Sequence, residues 1–195
     1  MSLKILLIDT EADRAKALEK KLFEAGFSDV SRVTSGDHLI AEVERIAPDL
    51  VIIDMALPDR DTLEDIRNLS ANTPRPIMMF SDKDDPAFVD EAIAAGVCSY
   101  NLSGIASQEV KPIVASAIAL FRRYRHVETE LAAAKALLDE RRLLERAKAI
   151  LMRDRKMSEP EAYRWLQRKA MNENRKLSQI VAEFVKKEEA DARRG

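Results

Sequence analysis

Cysteine occurs once in the 195 residues, so the chain can build neither a disulfide framework nor a thiolate metal cage. Two histidines add little to any metal reading. Five glycines and seven prolines are too few for a linker-rich or disordered polypeptide. Long apolar runs are missing as well. The longest, Pro112 to Phe121, is about half of the roughly 20 residues that a membrane-spanning helix needs. No cationic segment followed by an apolar one marks an export signal. A soluble, cytoplasmic protein is expected. What is present is 46% apolar and 34% charged residues, enough for a buried core under a heavily solvated surface. The length suits one domain of about 120 residues and a smaller second one.

The net charge of −2 conceals an asymmetry. Residues 1–120 hold 12 Lys and Arg against 21 Asp and Glu, whereas residues 121–195 hold 20 against 13. A basic second part can sit on nucleic acid, where counterion release supplies much of the affinity. Two solvated surfaces of opposite sign would look the same.

Residues 1–120 alternate strand and helix patterns. Leu3 to Ile8, Val30 to Val33, Leu50 to Asp54, Ile77 to Phe80 and Val97 to Leu102 read as strands. Arg14 to Ala25, Asp37 to Ile46, Asp61 to Leu69 and Pro86 to Ala95 read as helices, two of them closed by Gly26 and Gly96. Apolar strands separated by amphipathic helices predict an α/β fold, a doubly wound five-stranded parallel sheet of order 2-1-3-4-5. From Ser107 a further helix continues, with no Gly or Pro between Ile113 and Met152. Tyr124, Val127, Leu131, Ala134 and Leu138 form a short heptad-like seam over residues 121–140, a coiled-coil-like linker. That seam pairs with the same helix of a second chain, giving a homodimer, or lies on its own domain. The helix gives way near Lys156, Ser158 and Glu161 form a capping box, and the apolar spacing then predicts two more helices. Residues 141–195 are expected to make an all-α three-helix bundle.

In an open α/β sheet, ligands bind at the carboxyl ends of the strands. Asp9, Asp54 and Ser81 follow strands 1, 3 and 4, which are neighbours in the expected order. Two carboxylates and a hydroxyl in one cleft can hold Mg2+, and one carboxylate can accept a phosphoryl group. These residues, with Asp54-Met55-Ala56-Leu57-Pro58, Asp61 and Ala95-Gly96 leading into Tyr100, make residues 1–120 resemble a response-regulator receiver domain. The resemblance implies that Asp54 is the phosphoacceptor, that Asp9 and Asp54 are the Mg2+ ligands, that Ser81 moves toward the phosphoryl group and that Tyr100 changes rotamer with it. Three departures mark the receiver as degenerate. Thr10 stands where the family has a second acid, with Glu11 one step further; Ser103 stands where it has a lysine; and Asp82 follows Ser81 where it prefers a small residue. Losing the lysine removes a charge-assisted contact of about 1.5–3 kcal/mol. No cofactor is expected to be required, with Mg2+ in the pocket as the one candidate.

Glu145 to Met152, Ser158 to Tyr163 and Ala170 to Leu177 resemble the three blocks of the ANTAR domain, an RNA-binding module of bacterial antiterminators. The resemblance implies binding to leader-transcript hairpins, usually as a dimer reading two loops. Unstacked loop bases are read by cations, amides and aromatic faces. Arg146, Lys148, Arg168, Lys169, Arg175 and Lys176 offer cations, Tyr163 and Trp165 offer faces, and Asn172 and Asn174 offer amides. Lys148 can instead snorkel beside Ala147, Tyr163 can pack, and Asn174 can cap the third helix. Arg175 and Lys176 have no evident core role at a helix start, where the dipole disfavours them. The missing lysine makes the chain most similar to NasT-type antiterminators of nitrate and nitrite assimilation, which are held by a sensor partner; an AmiR-type amide system has the same logic. A NasS-like or AmiC-like inhibitor protein is the corresponding partner. The expected function is a non-enzymatic RNA-binding antitermination regulator. The alternative is a phosphorylation-dependent regulator with a DNA-binding or protein-interaction output. A helix-turn-helix often needs Gly in its turn, and residues 140–190 have none.

Overall fold

The computed structural model describes residues 3–34, 39–58 and 60–192. The chain divides into two compact units, Met1–Arg125 and His126–Gly195.

The first unit runs β1 (Lys4–Ile8), α1 (Ala12–Glu24), β2 (Asp29–Val33), α2 (Leu39–Ile46), β3 (Leu50–Asp54), α3 (Arg60–Asn72), β4 (Ile77–Ser81), α4 (Pro86–Ala95) and β5 (Ser99–Leu102), then enters α5 (Ser107–Arg155). The strands form one parallel sheet of order β2-β1-β3-β4-β5. Their uninterrupted apolar character follows from cover on both faces. Leu6, Ile8, Val51, Ile53, Ile77 and Met79 face α2, α3 and α4, whereas Ile5, Leu7, Leu50, Ile52, Met78 and Phe80 face α1 and the start of α5. Such alternation is the period-two geometry of a strand.

Local chemistry sets the element ends. Asp85 caps α4 by accepting the N–H of Ala87 at 3.1 Å, and Pro86 fills the first turn, where its missing donor is harmless. Gly96 ends the same helix at φ +116°, and a Cβ there would lie 2.4 Å from Ser70 Oγ. The strand expected from Val97 begins at Ser99, because the Val97 N–H is used to close α4 on Ala92. The first two residues of the helix expected over 37–46 lie outside the described residues; the rest is α2.

The second unit contains the end of α5, α6 (Glu159–Asn172) and α7 (Leu177–Ala192). Ala147 and Leu151 of α5, Ala162 and Leu166 of α6, and Val181, Phe184 and Val185 of α7 make its core. Lys156 at φ +56° turns the chain out of α5. The Glu161 carboxylate reaches back as expected, accepting from both the Ser158 N–H at 2.8 Å and its hydroxyl at 2.6 Å. Along α5, residues 131–142 are exposed, including Leu131 and Leu138 of the seam.

Candidate phosphoacceptor pocket and nucleic-acid interface

The register of the sheet assembles the first site. Ile8 lies opposite Ile53, so Asp9 and Asp54, the next residue of each strand path, stand side by side. Both are buried, Asp9 wholly. Asp9 Oδ1 accepts the N–H of Glu11 at 2.7 Å, which fixes the carboxylate at the mouth of α1. Glu11 takes the N-cap position with its own side chain exposed.

The pocket already contains a cation, from a residue the sequence did not single out. Arg14, in the first turn of α1, places Nε 3.3 Å from Asp9 Oδ2 and 3.3 Å from Asp54 Oδ1. Its Nη2 donates to the Asp54 carbonyl at 2.9 Å and approaches Asp9 Oδ1 at 3.3 Å. Burial disfavours the charge on Arg14, but the hydrogen bond to Asp9 and the fields of Asp54, Asp9 and Glu11 outweigh it and raise its pKa. Asp54 is the mirror case. Burial pushes its carboxyl up to about 6 against the pull of Arg14, with Asp9 and Asp82 pushing the same way. Asp54 Oδ1 is close to Arg14 but not aligned to accept from it, and it has no hydrogen bond among the described residues.

These residues do not fit a divalent cation. The two carboxylates expected to ligate Mg2+ face the guanidinium instead, and the second acid of the usual pair is Thr10. Among the described residues no group of three His, Cys, Asp or Glu side chains assembles to hold a metal ion. Hard divalent cations need several oxygen ligands converging on one point, which a planar, charged guanidinium between them prevents.

The remaining receiver residues gather at the same sheet edge. Ser81 is buried; its hydroxyl donates to the Ala56 carbonyl at 3.1 Å and accepts the Lys83 N–H at 3.1 Å. Ser103, in the lysine position, donates its N–H to the Ser81 carbonyl at 2.9 Å, and its buried hydroxyl has no partner among the described residues. Tyr100 donates its hydroxyl to the Lys83 carbonyl at 2.7 Å and meets Phe88 edge-on at 6.2 Å. Lys83 in turn lies 3.8 Å from the centre of the Phe88 ring.

In the helical unit the expected RNA-facing residues divide into two sets. Lys148 is buried, held between Glu145 at 2.8 Å and Glu159 at 2.6 Å, and these hydrogen bonds raise its pKa. Arg146 pairs with Glu189 at 2.8 Å. Arg175 is exposed and outside the core, and it pairs with Glu183 at 2.6 Å and reaches Glu173 at 3.4 Å. Lys169 is half-buried, 3.9 Å from Glu173. Arg168 and Lys176 are exposed and carry no ion pair among the described residues. Asn174 adopts φ +50° and makes the turn after α6, so its backbone has the capping role; Tyr163 is partly exposed on α6. Arg168, Lys169, Asn174, Arg175 and Lys176 thus collect at the end of α6 and the turn into α7, whereas Arg146 and Lys148 lie on α5.

Comparison with known proteins identifies both parts of the chain. Residues 5–111 match the response regulator receiver domain, and residues 132–185 match the ANTAR domain. The chain is 30% identical over 182 residues to the transcriptional regulatory protein PdtaR of Mycobacterium tuberculosis, covering 93% of this chain and 88% of that one. It is 30% identical over 110 residues to the DNA-binding response regulator MtrA of Mycobacterium leprae, covering 56% and 48%. In fold it is similar to the signal receiver domain of a modulated diguanylate cyclase from Desulfovibrio desulfuricans (TM-score 0.55, 18% identity, 64% of this chain and 99% of that one). The chemotaxis protein CheY4 of Vibrio cholerae is similar too (TM-score 0.52, 18% identity, 58% and 97%). No described helix is long and apolar enough to cross a membrane. A parallel sheet with acids at its carboxyl edge, followed through one long helix by a basic bundle, places this chain in the family of response regulators with a C-terminal ANTAR domain.

Proposed function

We propose that this protein regulates transcription by binding hairpins in leader RNA and preventing termination, and that a partner protein rather than phosphorylation of Asp54 controls it. The observation that carries the RNA reading is the end of α6, where Arg168 and Lys176 stay exposed and unneutralised beside the Asn174 turn. Cations held clear of carboxylates on a rigid bundle suit a phosphate backbone and unstacked loop bases. The control reading rests on Arg14. A pocket whose two carboxylates already neutralise a tethered guanidinium offers a phosphoryl donor little to bind, and Asp82 adds repulsion nearby. NasT-type likeness would make the partner a nitrate sensor, and AmiR-type likeness an amide sensor; the described residues favour neither. Activity is proposed to come from binding, with no catalytic step.

The test is filter binding of the full chain to a two-loop RNA hairpin and to duplex DNA of equal length. The hairpin should bind more tightly. Arg168→Ala with Lys176→Ala should weaken hairpin binding and reduce the salt slope by about 0.7 per lost phosphate contact. Equal or stronger binding to duplex DNA would support the DNA-output alternative instead.

A further inference from the structure

Six cations of the helical unit are each already matched to a carboxylate: Arg142, Arg146, Lys148, Arg153, Lys169 and Arg175. Arg155 is not. It ends α5, it is exposed, and among the described residues it has no ion-pair partner. Its guanidinium carbon lies 4.4 Å from the centre of the Trp165 ring. Trp165 is half-buried and packs against Phe184 of the core at 5.6 Å between ring centres. The Lys169 ammonium lies 5.6 Å from the same indole.

This arrangement has a chemical use. An arginine paired with carboxylates spends its donors, whereas one laid against an indole keeps them and is attracted through its plane. The core contact with Phe184 and the helical position of Trp165 fix the indole, and the indole positions the cation. Unpaired bases stack on arginine planes as they do on aromatic rings. A paired helix buries its base faces and would gain only the charge. The basic excess of residues 121–195 supplies the complementary field.

We propose that Arg155, seated on Trp165, is a stacking platform for one unpaired base of an RNA loop. The proposal rests on the RNA reading above and adds the place where a base is held. It assigns a role to Arg155 and Trp165 as a unit, separate from the cations at the α6–α7 turn.

Trp165 is the only tryptophan in the chain, so its emission reports this site alone. The full-length protein is titrated with a two-loop hairpin and with a fully paired RNA of the same length, by fluorescence and by filter binding. The hairpin should change Trp165 emission saturably, with the midpoint seen on the filter, and the paired RNA should not. Arg155→Lys keeps the charge but loses the plane; it should weaken hairpin binding roughly tenfold, with an unchanged melting temperature. A hairpin that binds on the filter yet leaves Trp165 emission unchanged overturns the platform and leaves the RNA reading standing. So does an Arg155→Lys protein that binds as tightly as the parent, or an equal emission change with paired RNA. If the parent does not bind the hairpin at all, both the platform and the RNA reading fall.

Discussion

Replacing Arg14 by Gln tests whether this residue is the working cation of the receiver pocket. Its Nε stands 3.3 Å from a carboxylate oxygen of Asp9 and 3.3 Å from one of Asp54. At that separation each attraction is about 5 kcal/mol at an effective dielectric constant of about 20, before the cost of desolvating the guanidinium. Removing one partner of a buried pair costs about 3–5 kcal/mol, because the other charge is left uncompensated. Since Arg14 is partly exposed, the lower end applies, about 3 kcal/mol at pH 7.5. The loss should shrink in acid. Asp54 already titrates at about 6, above its ordinary 3.8, and without Arg14 it must titrate higher still. A carboxyl whose pKa is raised on folding binds its proton more tightly in the folded state. The resulting penalty is absent below about pH 4 and grows as pH rises through the folded pKa. At pH 5 the variant can protonate Asp54 and escape much of the repulsion from Asp9. Hydrogen exchange of peptides from β1, β3 and β4 measures opening of this unit alone. Protection should fall by roughly a hundredfold at pH 7.5, and by much less at pH 5, relative to the parent at each pH. An equal loss at both pH values, or no loss at pH 7.5, would show that Arg14 does not neutralise the pocket.

Asp54→Asn removes a carboxylate held at unfavourable pKa, so it should stabilise the receiver by up to about 3 kcal/mol at pH 7.5 and by nothing near pH 4, measured by the same exchange. Acetyl phosphate with Mg2+ should leave Asp54 largely unlabelled, and near-complete phosphorylation by mass spectrometry at ordinary concentrations would refute the closed-pocket reading. Leu131 and Leu138 are 53% and 56% exposed on α5; changing both to Glu should abolish self-association in sedimentation, and an unchanged oligomeric state would show that this stripe has no second chain to meet.

Much of the receiver was legible because its sheet is parallel and covered twice. Short continuous apolar segments such as Leu50 to Ile53, set between helical patterns, read as strands buried on both faces, and an acid at the end of such a segment lands at the open edge. Arg14 was not legible. In sequence it is one more cation on an amphipathic helix, in a first turn where the dipole disfavours positive charge. Its meaning needs the contact of α1 with two strands, of which β3 is some forty residues away. Lys148 shows the same limit from the other side. Glu145, one helical turn before it, was visible, but Glu159 reaches it only because the chain reverses at Lys156. Arg175 has no core role, as its spacing suggests, but its ion pair is not visible in sequence because Glu183 lies eight residues on, inside α7. Spacing along one helix shows which side chains share a face; it does not show which carboxylate returns to them across a turn.

The clasp on Tyr100 turns a static contact into a population. Its hydroxyl bond to the Lys83 carbonyl contributes about 1 kcal/mol, and its edge contact with Phe88 about as much. Together, about 2 kcal/mol favours this ring position by roughly thirty to one. A protein that docks only on the opposite ring position would find roughly one molecule in thirty competent, and its apparent affinity would drop by that factor. A protein that recognises the ring where it stands meets no such discount. The bias comes from Lys83 and Phe88, residues of the chain itself.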